Sequence, residues 1–208
     1  MINQKRKERI KEILSQKQPT LQVMLDDVSN SQNVSAIIRS CDGVGVLNLY
    51  YSTKDDLNLR IHKTITQGTH RWLNRERIDY KDRVDFLRKR QKEGFQVVVT
   101  HLAEKSVSFT KVDYTKPTLL VMGNEHEGIS DEVLAVADKN IVIPMRGMAQ
   151  SLNVSVATAL ILYEAGRQRD EAKMYDKAQI SIESMEKIME DWIYRDVIRH
   201  RSKGRVFY

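Results

Sequence analysis

Short apolar runs of strand length recur along this chain, at residues 21–25, 46–51, 95–100, 118–122 and 140–143. Helical patterns separate them: 4–17 with Ile10, Ile13 and Leu14 on one face, a stretch from Asn33 carrying Ala36, Ile37, Cys41 and Val44, then 82–92, 130–137 and 152–169. Strands alternating with helices predict an α/β fold built on a parallel sheet with crossover connections. Ser130 is the expected N-cap of the helix that follows it, residues 52–70 read as loop, and 181–200 as one more amphipathic helix. With 208 residues and no internal repeat, one main domain is expected. The division expected is a basic N-terminal helical extension at 1–18, a body at 19–170 and a basic C-terminal helical extension at 171–208.

The charge distribution says more than its total of +6. Residues 1–17 hold six Lys or Arg against two Glu, residues 167–208 hold ten against eight acidic residues, and 18–166 is neutral. A neutral body with basic ends suits a polyanionic partner such as a phosphate backbone. On charge alone, solvated helices with no ligand account for it equally well. No apolar run approaches the roughly 20 residues that span a bilayer, and the first 17 residues lack a signal-peptide core. A lone cysteine, Cys41, excludes an intrachain disulfide, and a reducing cytoplasmic location is expected.

In sheets of this kind ligands bind in loops beyond the C-terminal strand ends. Three segments at such places are unusually polar or glycine-rich. In the first, Asn33 stands where a helix N-cap belongs, Arg39 lies nearly two turns on, and Asp42 is spaced to pair with Arg39. A capped amphipathic helix with a surface ion pair explains this as readily as a phosphate-binding arginine on a rigid element. In the second, an apolar strand runs into Gly123-Asn-Glu125-His-Glu-Gly128, whose glycines permit close approach of backbone to a ligand. It lacks the Gly-x-Gly-x-x-Gly of dinucleotide folds, which argues against a nucleotide-cofactor oxidoreductase. Glu125, His126 and Glu127 point different ways along the chain, and no metal is expected. In the third, a strand breaks at Pro144, a glycine loop follows, and Ser151 and Asn153 open a helix of small residues with free N–H donors at its start. Met145, Met148 and Leu152 would suit a flat apolar ring.

In this order the three segments resemble the signature motifs of the SpoU/TrmH family of RNA ribose methyltransferases, within the SPOUT superfamily. The first is similar to its Asn-x-x-x-x-x-Arg motif, the second to its Gly-x-Glu-x-x-Gly turn. The third, with Ser-Leu-Asn-Val-Ser-Val-Ala at 151–157, is similar to its Ile-Pro-Met…Ser-Leu-Asn-Val-Ser run. The resemblance implies an α/β knot fold with a deep C-terminal trefoil knot, a homodimer whose active site draws on both chains, and S-adenosylmethionine as cofactor. It implies cofactor contacts from Thr100, His101, Leu102, Gly123, Ile143, Pro144, Met145, Met148, Ser151 and Leu152. It also implies that Arg39 is catalytic, supported by Asn33, Glu125, Ser151 and Asn153. A guanidinium keeps its proton in proteins, so the expected role of Arg39 is to bind phosphate and orient the ribose 2′-hydroxyl.

Some family members that act on rRNA carry a large domain before the first motif, and the smallest anticodon-modifying members lack basic extensions. This chain has a short N-terminal helix and a basic C-terminal one, which resembles the branch that methylates guanosine-18 in the tRNA D-loop. Gln32 departs from the His usual before Asn33 in that branch, and the resemblance fades beyond about residue 174. Methylation of rRNA or of another tRNA position, and a non-catalytic RNA-binding protein on the same fold, are the alternatives. Arg6, Arg9, Arg167, Arg169, Arg199 and Arg201 are the expected RNA contacts, from the charge of the ends.

Overall fold

Seven strands form one entirely parallel sheet. They are β1 (Leu21–Asp26), β2 (Asn48–Ser52), β3 (Asn74–Arg77), β4 (Gln96–Thr100), β5 (Val107–Ser108), β6 (Thr118–Gly123) and β7 (Lys139–Val142), in the order β3-β2-β1-β6-β4-β7-β5. The computed structural model describes residues 4–55, 58–101 and 106–202, and the side chains only to residue 197. Its helices are α1 (Gln4–Ser15), α2 (Ser31–Gly43), α3 (Lys63–Thr66), α4 (Arg83–Lys92), α5 (Asp131–Leu134), α6 (Val154–Glu171) and α7 (Ile182–Ser202).

Every residue of β1 and β6 is buried, as expected of central parallel strands covered on both faces. Their side chains alternate between two cores. Val23, Leu25, Leu120 and Met122 pack with Ile37, Ile38 and Cys41 of α2 and Ile161, Leu162 and Ala165 of α6. Met24, Leu119 and Val121 pack on the other side with Leu87 of α4 and Val133 of α5. Burial pushes the Cys41 thiol up to about 12, which leaves it unreactive.

Two strands escape the apolar pattern. β3 reads Asn-Arg-Glu-Arg and β5 has two residues; both are edge strands, where solvent removes the demand for apolar alternation. The region expected to be loop also holds α3. The helix expected over 130–137 shortens to α5, and Ser130 makes no side-chain cap bond. The N-cap of α2 is Asn30, not Asn33: the Asn30 side chain accepts from the backbone N–H of Gln32 and Asn33. That shift releases the Asn33 side chain for other use.

Asp42 does not pair with Arg39. It receives the ammonium of Lys17, fully buried, at 3.0 Å, while Lys17 also donates to the Val46 carbonyl at 3.1 Å beneath the Trp192 ring. A buried ammonium has few alternatives, whereas Arg39 stands in solvent. Burial lowers the pKa of Lys17, and Asp42 opposes that shift. Asp42→Ala should therefore cost about 3 kcal/mol in denaturant unfolding, because removing one partner strands the other. Adding Lys17→Met to that variant should recover most of the loss; no recovery would mean that Asp42 acts through something else.

The two chain ends meet. Ile10 and Leu14 of α1 pack with Trp192 of α7, Ile180 and Leu47. The buried carboxylate of Asp196 binds Arg6 of α1 at 3.2 Å and Arg71, just before β3, at 2.9 Å.

Candidate active site

A cavity of about 410 Å³ opens beyond the C-terminal ends of β4, β6 and β7, a size typical of small-molecule sites. Met122, Ile141, Ile143, Met145, Leu152 and Ala157 supply apolar wall, and Glu125, Ser151 and Asn153 supply polar groups.

The turn after β6 is held by its own side chains. Asn124 donates through Nδ2 to the Asp27 carbonyl at 2.8 Å, while its Oδ1 accepts from the N–H groups of His126 (2.8 Å) and Glu127 (3.2 Å). This is an Asx turn tethered to the end of β1. Backbone bonds between Asn124 and Gly128 close it. Gly123 packs so tightly there that a Cβ would stand 2.3 Å from the Gly128 carbonyl oxygen, and Gly128 has a left-handed φ of 72°. Lys54 donates to Glu127, which holds the exposed Glu127 carboxyl below the ordinary glutamate range.

The turn presents Glu125 to Asn33. Asn33 Nδ2 donates to Glu125 Oε1 at 2.8 Å, and Asn33 Oδ1 accepts from Asn153 Nδ2 at 3.0 Å. Asn153 in turn caps α6, its Oδ1 accepting from the N–H of Ser155 at 2.8 Å. One hydrogen-bonded chain thus joins residues 33, 125 and 153 from three separate elements beside the cavity. Such a chain orients each member through its neighbours.

Of the residues singled out in the sequence, Thr100, His101, Gly123, Ile143, Met145, Ser151 and Leu152 line the cavity together with Glu125 and Asn153. Pro144 and Met148 do not, and Met148 is fully exposed because no described element packs over its loop. Leu102 lies outside the described residues. Arg39 is not among the lining residues; it sits exposed on α2, donating to the Ile65 carbonyl at 3.4 Å. The sequence motifs do not single out Asn124 or Lys54. The Asx-turn preference of an Asn before a glycine-closed turn was the usable signal for the first, and nothing marked the second.

The basic residues divide. Arg9 is exposed beside Glu12, and Arg167 lies exposed between Glu164 and Glu171. Arg6 is drawn to Asp196. Arg169 is a correction: it has no exposed surface and cannot meet an RNA in this fold. Its guanidinium donates to the carbonyls of Tyr114, Thr20 and Lys116 and to the side chains of Gln18 and Thr20, at 2.9–3.2 Å. Burial lowers its pKa to about 10, so it remains charged at neutral pH. Its place follows from helix spacing, since Ile161, Ala165 and Arg169 share the inward face of α6. The side chains of Arg199 and Arg201 lie outside the described residues. Among the described residues no group of three or more His, Cys, Asp or Glu could hold a metal ion.

A parallel α/β sheet with a cavity built from three loops beyond its strand ends is the layout of a protein that holds a small cofactor. Comparison with known proteins is specific. The sequence profile of the SpoU rRNA Methylase family matches residues 20–163. A tRNA (guanosine(18)-2′-O)-methyltransferase of Aquifex aeolicus is 50% identical over 203 residues, covering 98% of this chain and 95% of that one. A protein of the same name from Thermus thermophilus is 43% identical over 189 residues, covering 90% and 95%. The crystal structure of the A. aeolicus TrmH/SpoU tRNA modifying enzyme superposes with a TM-score of 0.89 at 51% identity, over 93% of this chain and 97% of that one. The SpoU methyltransferase AviRb of Streptomyces viridochromogenes, in complex with AdoMet, superposes with a TM-score of 0.64 at 29% identity, over 76% and 62%. The chain belongs to the SpoU methylase family.

Proposed function

We infer that the protein transfers a methyl group from S-adenosylmethionine to the 2′-hydroxyl of a tRNA ribose, that of guanosine-18 in the D-loop. The observation that carries this reading is the Glu125–Asn33–Asn153 chain at the cavity, in a protein half identical to a methyltransferase named for that nucleotide.

The cavity suits the cofactor. Its apolar wall of Ile141, Ile143, Met145 and Leu152 can hold an adenine ring, and Gly123, packed directly against the Gly128 backbone, keeps the turn beside it closed. When bound, the cofactor supplies an electrophilic methyl on a sulfonium centre. The chain's own residues bind and orient. Ser151 and Asn153 stand at the start of α6, where free N–H groups favour electron-rich partners. Asn33, locked by Glu125 and Asn153, offers a fixed polar group beside the reacting ribose.

Arg39 acts from a partner chain in this reading, in a homodimer. The support is an exposed apolar stripe on α6, formed by Val156, Leu160 and Tyr163, with Tyr163 lying against Gly43 of α2, the helix that carries Arg39. Stripes of this kind mark association surfaces. Pairing through it would cover the stripe and bring Arg39 toward the other cavity. The C-terminal trefoil knot belongs to the same reading, supported by the parallel sheet and by the similarity to TrmH/SpoU structures. So does the division into a methyltransferase body at 19–170 with basic helices at 1–18 and 171–208, supported by the packing of α1 on α7. A cytoplasmic location follows from a tRNA substrate; no helix of the described residues is long and apolar enough to cross a membrane.

Gly123→Ala should lower cofactor affinity at least about tenfold in equilibrium dialysis, a difference of about 1.4 kcal/mol, by forcing open the turn that lines the cavity. Unchanged affinity would remove that turn from cofactor binding. For the reaction itself, labelled cofactor with a tRNA carrying guanosine at position 18 should yield labelled RNA. The same tRNA with 2′-deoxyguanosine there should stay unlabelled; equal labelling of the two would overturn the assignment.

A further inference from the structure

A second cleft, of about 360 Å³, lies at the opposite end of the sheet from β5, between β3 and α7, lined by Arg71, Leu73, Arg75, Tyr194 and Arg195. It is separate from the cofactor cavity: β3 and β6 are three strands apart, roughly 14 Å across the sheet. Among the described residues its lining carries three guanidinium groups and no carboxylate.

Arg75 stands apart from the other cations of the cleft. Arg195 donates to the carbonyls of Arg71 at 3.3 Å and Leu73 at 3.5 Å while pairing with Asp191. Arg71 pairs with Asp196, which also serves Arg6. Arg75 pairs with no carboxylate among the described residues. Of the three guanidinium groups lining the cleft, Arg75 is thus the one with no acid beside it among the described residues. Burial and the neighbouring Arg195 both pull the pKa of Arg75 below the ordinary arginine value. Like charges held together by the fold, with Arg75 unquenched by any acid among the described residues, call for an anionic partner.

We propose that this cleft binds the phosphodiester backbone of the RNA substrate, with Arg75 as the free fork and Arg195 as its companion. The site rests on the reading that RNA is the substrate. A polyanion fits better than a small phosphate for two reasons. The cleft is open, with the exposed ring of Tyr194 at its edge offering a surface for a sugar or base. The sequence past Arg195 also continues with Arg199, Arg201, Lys203 and Arg205, a run of positive charge suited to a continuous backbone.

The test is tRNA affinity of the full-length protein across a series of KCl concentrations, for wild type, Arg75→Gln and Arg75→Lys. Arg75→Gln should weaken binding about tenfold at 0.1 M salt and reduce the magnitude of the salt slope by about one. Arg75→Lys should retain most of the affinity, and both variants should keep wild-type melting temperature and cofactor binding. In turnover, Arg75→Gln should raise KM for tRNA with kcat unchanged. Wild-type affinity and slope in Arg75→Gln would overturn the proposal. So would displacement of tRNA by millimolar inorganic phosphate, at matched ionic strength, from wild type but not from Arg75→Gln, since that marks a small-anion site. A wild-type protein that binds tRNA with a steep salt slope yet does not methylate it would sink the catalytic reading and leave the cleft to be judged on the Arg75 slopes alone.

Discussion

Arg39→Ala should reduce kcat for tRNA methylation by about 10³-fold, with melting temperature and cofactor affinity unchanged. The fold does not need this side chain: it is exposed and makes one long bond, 3.4 Å to the Ile65 carbonyl. A planar fork on a rigid helix is nevertheless suited to gripping a phosphate while orienting the adjacent hydroxyl. Arg39→Lys keeps the charge and loses the fork, so it should remain strongly impaired at saturating tRNA. Near-wild-type turnover in the lysine variant would refute the positioning role. Mixing two inactive chains tests the origin of the arginine. One carries Arg39→Ala with an intact cavity; the other keeps Arg39 and has the cavity filled by Leu152→Trp. If Arg39 serves the partner's cavity, mixed dimers regain one working site of two. If it serves its own, the mixture stays inactive.

Arg169→Leu should destabilise the protein by about 3–5 kcal/mol, a clear fall in the denaturant midpoint. Five hydrogen bonds from one buried guanidinium tie α6 to Gln18 and Thr20 before β1 and to Tyr114 and Lys116 before β6. Leucine fills part of the volume but removes all five bonds and strands the Tyr114 carbonyl, while the Thr20 and Lys116 carbonyls and the Gln18 oxygen each keep one other donor. RNA affinity of the folded variant should match wild type. A variant with the wild-type midpoint and weakened tRNA binding would return Arg169 to the RNA surface.

The parts of this protein legible in its sequence are those where burial imposes a pattern. β1 and β6, covered on both faces, are continuous apolar runs, and α2 and α6 show their inward faces at helical spacing. The edge strands β3 and β5 face solvent and leave no such trace. Lys17 and Arg169 look like members of basic ends, since sequence does not reveal that Asp42 or a ring of carbonyls stands opposite them. The site divides in the same way. Asn33, Glu125 and Asn153 could be named only through the family motifs, because residues 92 and 120 positions away from Asn33 meet it only in the fold. The Arg75 cleft lay hidden for a related reason: its charges come from a polar edge strand and a distant helix.

The most direct measurement is mass-spectrometric mapping of ribose methylation after incubating the protein and S-adenosylmethionine with unmodified bulk tRNA and, separately, with rRNA. The expected result is a single new 2′-O-methyl group on guanosine-18 of tRNA and none on rRNA. A mark confined to rRNA, or to another tRNA position, would contradict the substrate assigned here. No mark on either RNA from protein that binds the cofactor would contradict the assigned reaction.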